Sequence, residues 1–353
     1  MKEELLFTEI CNFKDDSFDE DLLKYATPKV LGMLFFNRMQ AIAYGNMKEK
    51  NILENTNREF RNSLKMAYQY NTVKNKSFYK CINDLGVILD KSSCEYAMLK
   101  GAVLCGLYPE GYRTSNDIDL LIHPKDITRI SNLLKMDGFR QGSIKNDVFA
   151  PAHRREIIDS KMMRGETVPF VKEVNLPNMK YMEVDINFSL DYKNGDTEMI
   201  SEMLKRTERI EILGVSVQTL ASTDFFIHLC AHLYKEATTL PWIEMKRDMT
   251  LYKFCDLYFL LYDIDDKKSD ELFRRAEDLG LDKICAYAII VTYEMFEIKS
   301  EHLLVKSRKV LENDKEFMRR VYSPKEKTSY MYMEDSVFKR FFADDRKAML
   351  RRE

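Results

Sequence analysis

The stretch that most constrains this chain is Asp117-Ile118-Asp119-Leu120-Leu121-Ile122, closed by Pro124. A short apolar run with two carboxylates at its entrance reads as a buried strand. Side chains alternate along a strand, so Asp117 and Asp119 point to one side, their Cα atoms roughly 6–7 Å apart. Like charges held that close repel one another unless a cation sits between them. A hard divalent cation such as Mg²⁺ accepts one or two carboxylates and completes its shell with phosphate oxygens and water.

The residues just before this strand add a second part. Tyr96–Leu99 reads as a strand, Lys100-Gly101-Ala102 as a turn, and Val103–Leu107 as an apolar helix. Glycine at the turn permits close backbone approach, and a helix N-terminus offers amides to an anion. Phosphate recognition on one strand-turn-helix and metal recognition on the next strand suit phosphoryl or nucleotidyl transfer. Asp-x-Asp by itself would read the same on a solvated strand edge. The Lys-Gly turn and the Arg113-x-x-Asn116 lead-in set this copy apart.

The segment LKGAVLCGLYPEGYRTSNDIDLLIHPKD resembles the signature of the uncharacterised nucleotidyltransferase family, within the DNA polymerase β-like superfamily. The resemblance extends weakly to about residue 262. It implies an α+β fold: a small mixed or antiparallel sheet as the nucleotidyltransferase core, flanked by N- and C-terminal helical subdomains. It also implies transfer of a nucleoside monophosphate from an NTP to an acceptor, with Mg²⁺ or Mn²⁺ as cofactor and ATP as the first candidate donor. Asp117 and Asp119 would be catalytic and metal-binding, and Lys100, Gly101, Ala102, Arg113 and Asn116 would bind the nucleotide. The superfamily often has a serine or second glycine after the turn glycine. Here it is Ala102, which leaves phosphate contact to backbone amides and Lys100.

A third carboxylate is expected on a later strand. Tyr181–Phe188 alternates strictly, with Met182, Val184, Ile186 and Phe188 on one face and Glu183, Asp185 and Asn187 on the other. Asp185 is the candidate third ligand and general base, with Glu183 the alternative on the same face. Relatives often carry a histidine two positions on, where this chain has Asn187.

Length sets the frame around these motifs. A chain of 353 residues favours more than one compact part, and the expected division is 1–94 helical, 95–220 core and 221–353 helical. Helices are expected at about 57–70, 76–89 and 124–137, hairpins at 153–174 and 208–220, and helices through the last hundred residues. Seven cysteines without a Cys-x-x-Cys pair exclude a zinc ribbon. No apolar run is long enough to span a membrane, the first residues lack a signal-peptide core, and a cytoplasmic protein is expected. A net charge of −2 argues against a general nucleic-acid surface, and the mixed charges of the tail read as a solvated helix. His228 and His232 lack the glutamate of a zinc helix motif. Asp256, inside an apolar helix, needs a polar partner among His228, His232 and Arg247.

The acceptor is open on this evidence: a small molecule, a sugar or antibiotic-like compound, or alternatively a protein or RNA. A non-catalytic nucleotide-binding module and a structural protein with a solvated acidic face are the remaining alternatives.

Overall fold

The computed structural model describes residues 2–163, 165–190 and 197–353. The chain divides into two compact units, one formed by Met1–Ala67 and Phe226–Glu353, the other by Tyr68–Phe225. The expected boundaries at 94 and 220 group the chain differently. One helix, Arg58–Asp90, runs where two were expected. The polar run Asn71-Thr72-Val73-Lys74-Asn75 reads as a break, yet it contains neither glycine nor proline. Asn71, Lys74 and Asn75 are instead buried, with Asn71 Nδ2 donating to the Gly111 carbonyl at 3.1 Å and Asn75 Nδ2 to the Arg113 carbonyl at 2.8 Å.

The second unit is built on a six-stranded mixed sheet, as expected. Its strands are β1 (Tyr96–Leu99), β2 (Asp117–Ile122), β3 (Arg140–Lys145), β4 (Val148–Pro151), β5 (Phe170–Leu176) and β6 (Met179–Asn187). Their order is β1-β2-β6-β5-β3-β4. Only β2 and β6 run parallel among these neighbours, pairing Asp117 with Glu183, Asp119 with Asp185 and Leu121 with Asn187. The apolar alternation of β6 is real: Met182, Val184 and Ile186 are buried on the opposite face. Asn175 and Asn178, both at positive φ, turn β5 into β6, a conformation asparagine tolerates. The helix after β2, Ile127–Met136, ends at Gly138 with φ 90°, as a C′ glycine does. A two-stranded hairpin, β7 (Thr207–Ile212) and β8 (Val215–Leu220), turns at Leu213-Gly214 as expected.

The hairpin expected at 153–174 is instead a helix, Arg154–Met163, followed by β5; Arg164 lies outside the described residues. The mixed charges misled: of residues 153–160 only Ser160 is buried, so the in-out alternation of a half-buried strand is absent.

The first unit is mostly helical, and Thr27 caps the Pro28–Phe36 helix through Val30 N. Its C-terminal part differs from the expected run of helices. β9 (Arg320–Ser323), β10 (Thr328–Tyr332) and β11 (Leu350–Arg352) form a three-stranded sheet in the order β11-β10-β9. Pro324 opens the β9–β10 turn, and Val321 and Tyr332 pack on Leu240 and Ile243. The tail is not a solvated helix either. Arg346 is buried, donating from Nε and Nη2 to the two oxygens of Asp248 at 2.8 Å each. Elsewhere in this unit Glu236 pairs with the buried Lys253 and lies 3.7 Å from His232. No helix among the described residues is long and apolar enough to cross a membrane.

Candidate active site

In a parallel pair, residues in register lie side by side on the same face, about 4.8 Å apart. The β2–β6 register therefore sets Asp117 beside Glu183 and Asp119 beside Asp185. Four carboxylates occupy a two-by-two block that neither strand holds alone.

Lys100 partly neutralises the block. Its ammonium donates to Asp119 Oδ1 at 2.8 Å. β1 pairs Leu99 with Asp119, so the next residue emerges at the edge of the block. Lys100 has φ 47° and ψ −113°, a sparsely populated region for a residue with a side chain. The chain turns at Lys100, and Gly101 serves a different need. A Cβ on Gly101 would lie 2.4 Å from Ser115 Cβ and 2.6 Å from Ser115 Oγ. Glycine lets the loop before β2 press against the Gly101–Leu107 helix. Ser115, held there, donates to Asp117 Oδ1 at 2.9 Å.

Asn187 Nδ2 donates to Asp119 Oδ1 at 3.3 Å, so the asparagine found where relatives often carry histidine orients a site carboxylate. Lys74 donates to Asn116 Oδ1 and draws the Glu183 carboxyl downward against the upward push of burial and Asp117. Lys74 and Ser115 were missed by the sequence reading. Lys74 comes from the long helix, 43 positions before Asp117, and its only local signal is the polar run Asn71–Asn75.

Of the sequence-selected residues, Asp117, Asp119, Asp185 and Lys100 come together at the block. Gly101 and Ala102 are buried at the turn. Arg113 is buried, and its Nη1 donates to the Thr114 carbonyl.

The electrostatics follow from burial. Burial raises the Asp119 carboxyl, Lys100 opposes it, and Asp117 pushes it further up. Asp185 is held well above the carboxylate range, first by burial, then by Asp119, Asp117 and Glu166. Asp185 Oδ1 is buried without a hydrogen-bond partner. An unpaired buried carboxylate oxygen among like charges is costly, and a cation satisfies it. No three His, Cys, Asp or Glu side chains among the described residues are gathered into a metal-holding group. Mg²⁺ needs no such cage, because substrate phosphates and water complete its shell. The in-register carboxylates and the unpartnered Asp185 oxygen fit that kind of ion.

No curated protein matches at a significant level. Among solved structures, an antigenic nucleotidyltransferase-like protein from Paracoccidioides brasiliensis is similar at 16% identity, over 57% of this chain and 89% of its own, with a TM-score of 0.30. The profile of the uncharacterised nucleotidyltransferase family matches residues 26–297, well over half of the chain and all of the carboxylate block. The chain belongs to the uncharacterised nucleotidyltransferase family.

Proposed function

We propose that this protein moves a nucleoside monophosphate from an NTP to an acceptor hydroxyl, with release of pyrophosphate and dependence on Mg²⁺ or Mn²⁺. Family membership supports nucleotidyl transfer in general. The observation that carries the finer reading is the in-register pairing of Asp119 with Asp185, with an Asp185 oxygen unpartnered.

Asp117, Asp119 and Asp185 are the residues that would hold the ions, with Glu183 the alternative to Asp185. Divalent ions at such carboxylates screen phosphate charge and acidify an acceptor hydroxyl. Asp185 takes the proton of that hydroxyl as its oxygen attacks the α-phosphorus. The bond from the α-phosphorus to the bridging oxygen breaks, and pyrophosphate leaves with the electron pair. Lys100, which donates to Asp119, would supply a cation to phosphate oxygens. Asn116 and Arg113, with the amides at Gly101 and Ala102, are the further nucleotide contacts proposed. ATP is the first donor to try.

The test is pyrophosphate release from each NTP with added acceptors. Asp117→Ala and Asp119→Ala should abolish turnover while circular dichroism and melting remain those of a folded chain. Retained turnover in either folded variant contradicts the assignment.

A further inference from the structure

The Arg58–Asp90 helix lies against the loop that leads into Asp117, and its residues from Tyr68 onward belong to the same unit as the sheet. Asn71, Lys74 and Asn75 stand at intervals of three and four, on one face of that helix. The two asparagines hold backbone, donating to the Gly111 and Arg113 carbonyls. The approach is tight at Gly111, where φ is 78° and a Cβ would lie 2.6 Å from Thr72 Oγ1. The same helix reaches the other loop of the site, for the Tyr79 hydroxyl donates to the Ala102 carbonyl at 3.2 Å. Lys74 holds a side chain instead. It is 7% exposed, and its ammonium donates to Asn116 Oδ1, one residue before Asp117.

That contact decides which way the Asn116 amide faces. A carboxamide offers an acceptor at oxygen and two donors at nitrogen, whereas an ammonium only donates. With Lys74 in place the oxygen turns to the helix and the nitrogen turns away from it. Asn116 is exposed, and its Nδ2 meets no acceptor among the described residues. A donor beside Asp117 suits a phosphate oxygen. A reversed amide would set its own oxygen against that phosphate. The burial of Lys74 keeps its ammonium off the nucleotide, so its influence passes through the amide.

We propose that Lys74 is a positioning residue for the nucleotide: it holds the Asn116 amide with the nitrogen outward, as a donor to a phosphate oxygen of the NTP. The inference rests on the nucleotidyltransferase reading, in which Asn116 meets the nucleotide, and adds the group that orients it. Glu183 also feels the Lys74 charge, and the two effects differ in sign. Removing a cation beside the carboxylates eases Mg²⁺ binding, whereas releasing the amide weakens the nucleotide.

The experiment is melting titration of the full chain with ATP, GTP, CTP and UTP in Mg²⁺, carried through with the nucleotide that shifts the parent most. Lys74→Met and Asn116→Ala should each weaken that nucleotide about tenfold, the loss of one hydrogen bond to a charged group. Lys74→Arg, also a donor only, should keep most of the affinity. Lys74→Gln, whose amide accepts as well as donates, keeps the buried slot polar and should fall between Lys74→Arg and Lys74→Met. In the Asn116→Ala background, Lys74→Met should cost no more than about twofold, because the amide it orients is gone. A lysine that only supports the fold would lower the melting temperature of the unliganded chain and leave nucleotide affinity near that of the parent. Parental affinity in Lys74→Met or Lys74→Gln, losses that multiply in the double variant, or Lys74→Arg as weak as Lys74→Met overturns the positioning role alone. No shift of the parent chain with any nucleotide overturns the nucleotidyltransferase reading and this inference with it.

Discussion

Asp185 concentrates the conflict between stability and activity in this protein. Its carboxyl is raised by burial and by three neighbouring acids, and one of its oxygens has no partner. A carboxyl raised in the folded state costs nothing below its ordinary pKa. The cost grows as pH rises from that value to the raised one and is complete above it. Asp185→Asn removes the charge and supplies donors to the neighbouring carboxylates. In the absence of metal the variant should melt above the parent at neutral pH, by about 2–4 °C if roughly 1 kcal/mol is relieved, and the gap should close toward pH 4. Turnover should vanish in the same variant. A lower melting temperature at neutral pH would mean that the carboxylate is supported by contacts of its own. Such a trade is common at active sites.

At the scale of elements, the site depends on one close contact and one register. Gly101→Ala drives a Cβ to 2.4 Å from Ser115 Cβ, and overpacking of this kind costs about 1–3 kcal/mol. Ser115→Gly removes the opposing atom, so the double variant should recover most of the melting temperature lost by Gly101→Ala. Activity should stay low in it, because Asp117 loses the Ser115 hydroxyl. Failure of the second substitution to restore stability would show that the clash lies elsewhere. Much of this was legible beforehand. Alternation in Tyr181–Phe188 exposed the strand and its acidic face, and the Lys-Gly turn marked the loop. What stayed hidden was non-local. Nothing in the spacing tells which strand pairs with β2, or that the pairing is parallel and puts Asp185 and not Glu183 opposite Asp119. Polar residues misled wherever they were buried, as Asn71, Lys74 and Asn75 did in the long helix. The C-terminal sheet was missed because β9 and β10 are four and five residues long and sit among charges.

The whole molecule is two units, and the carboxylate block, Lys100 and Lys74 all fall within Tyr68–Phe225. The other unit has its own support in the Asp248–Arg346 pair, 98 positions apart in sequence and bidentate at 2.8 Å. Asp248 is fully buried and Arg346 nearly so. Breaking such a pair strands a buried charge, and Asp248→Ala should cost about 3–5 kcal/mol. Asp248→Leu with Arg346→Met should cost much less, and a chemical-denaturation double-mutant cycle reads the difference. Equal losses in the two variants would place the support in packing instead of in the pair. The central claim, a metal-assisted nucleotide site on β2 and β6, is tested most directly by thermal melting with ATP, GTP, CTP and UTP, each with and without Mg²⁺, beside an Asp117→Asn/Asp119→Asn variant. The account predicts a rise that requires Mg²⁺ together with at least one nucleotide and is lost in the variant. A rise that persists in the variant, or no rise with any nucleotide, would contradict it.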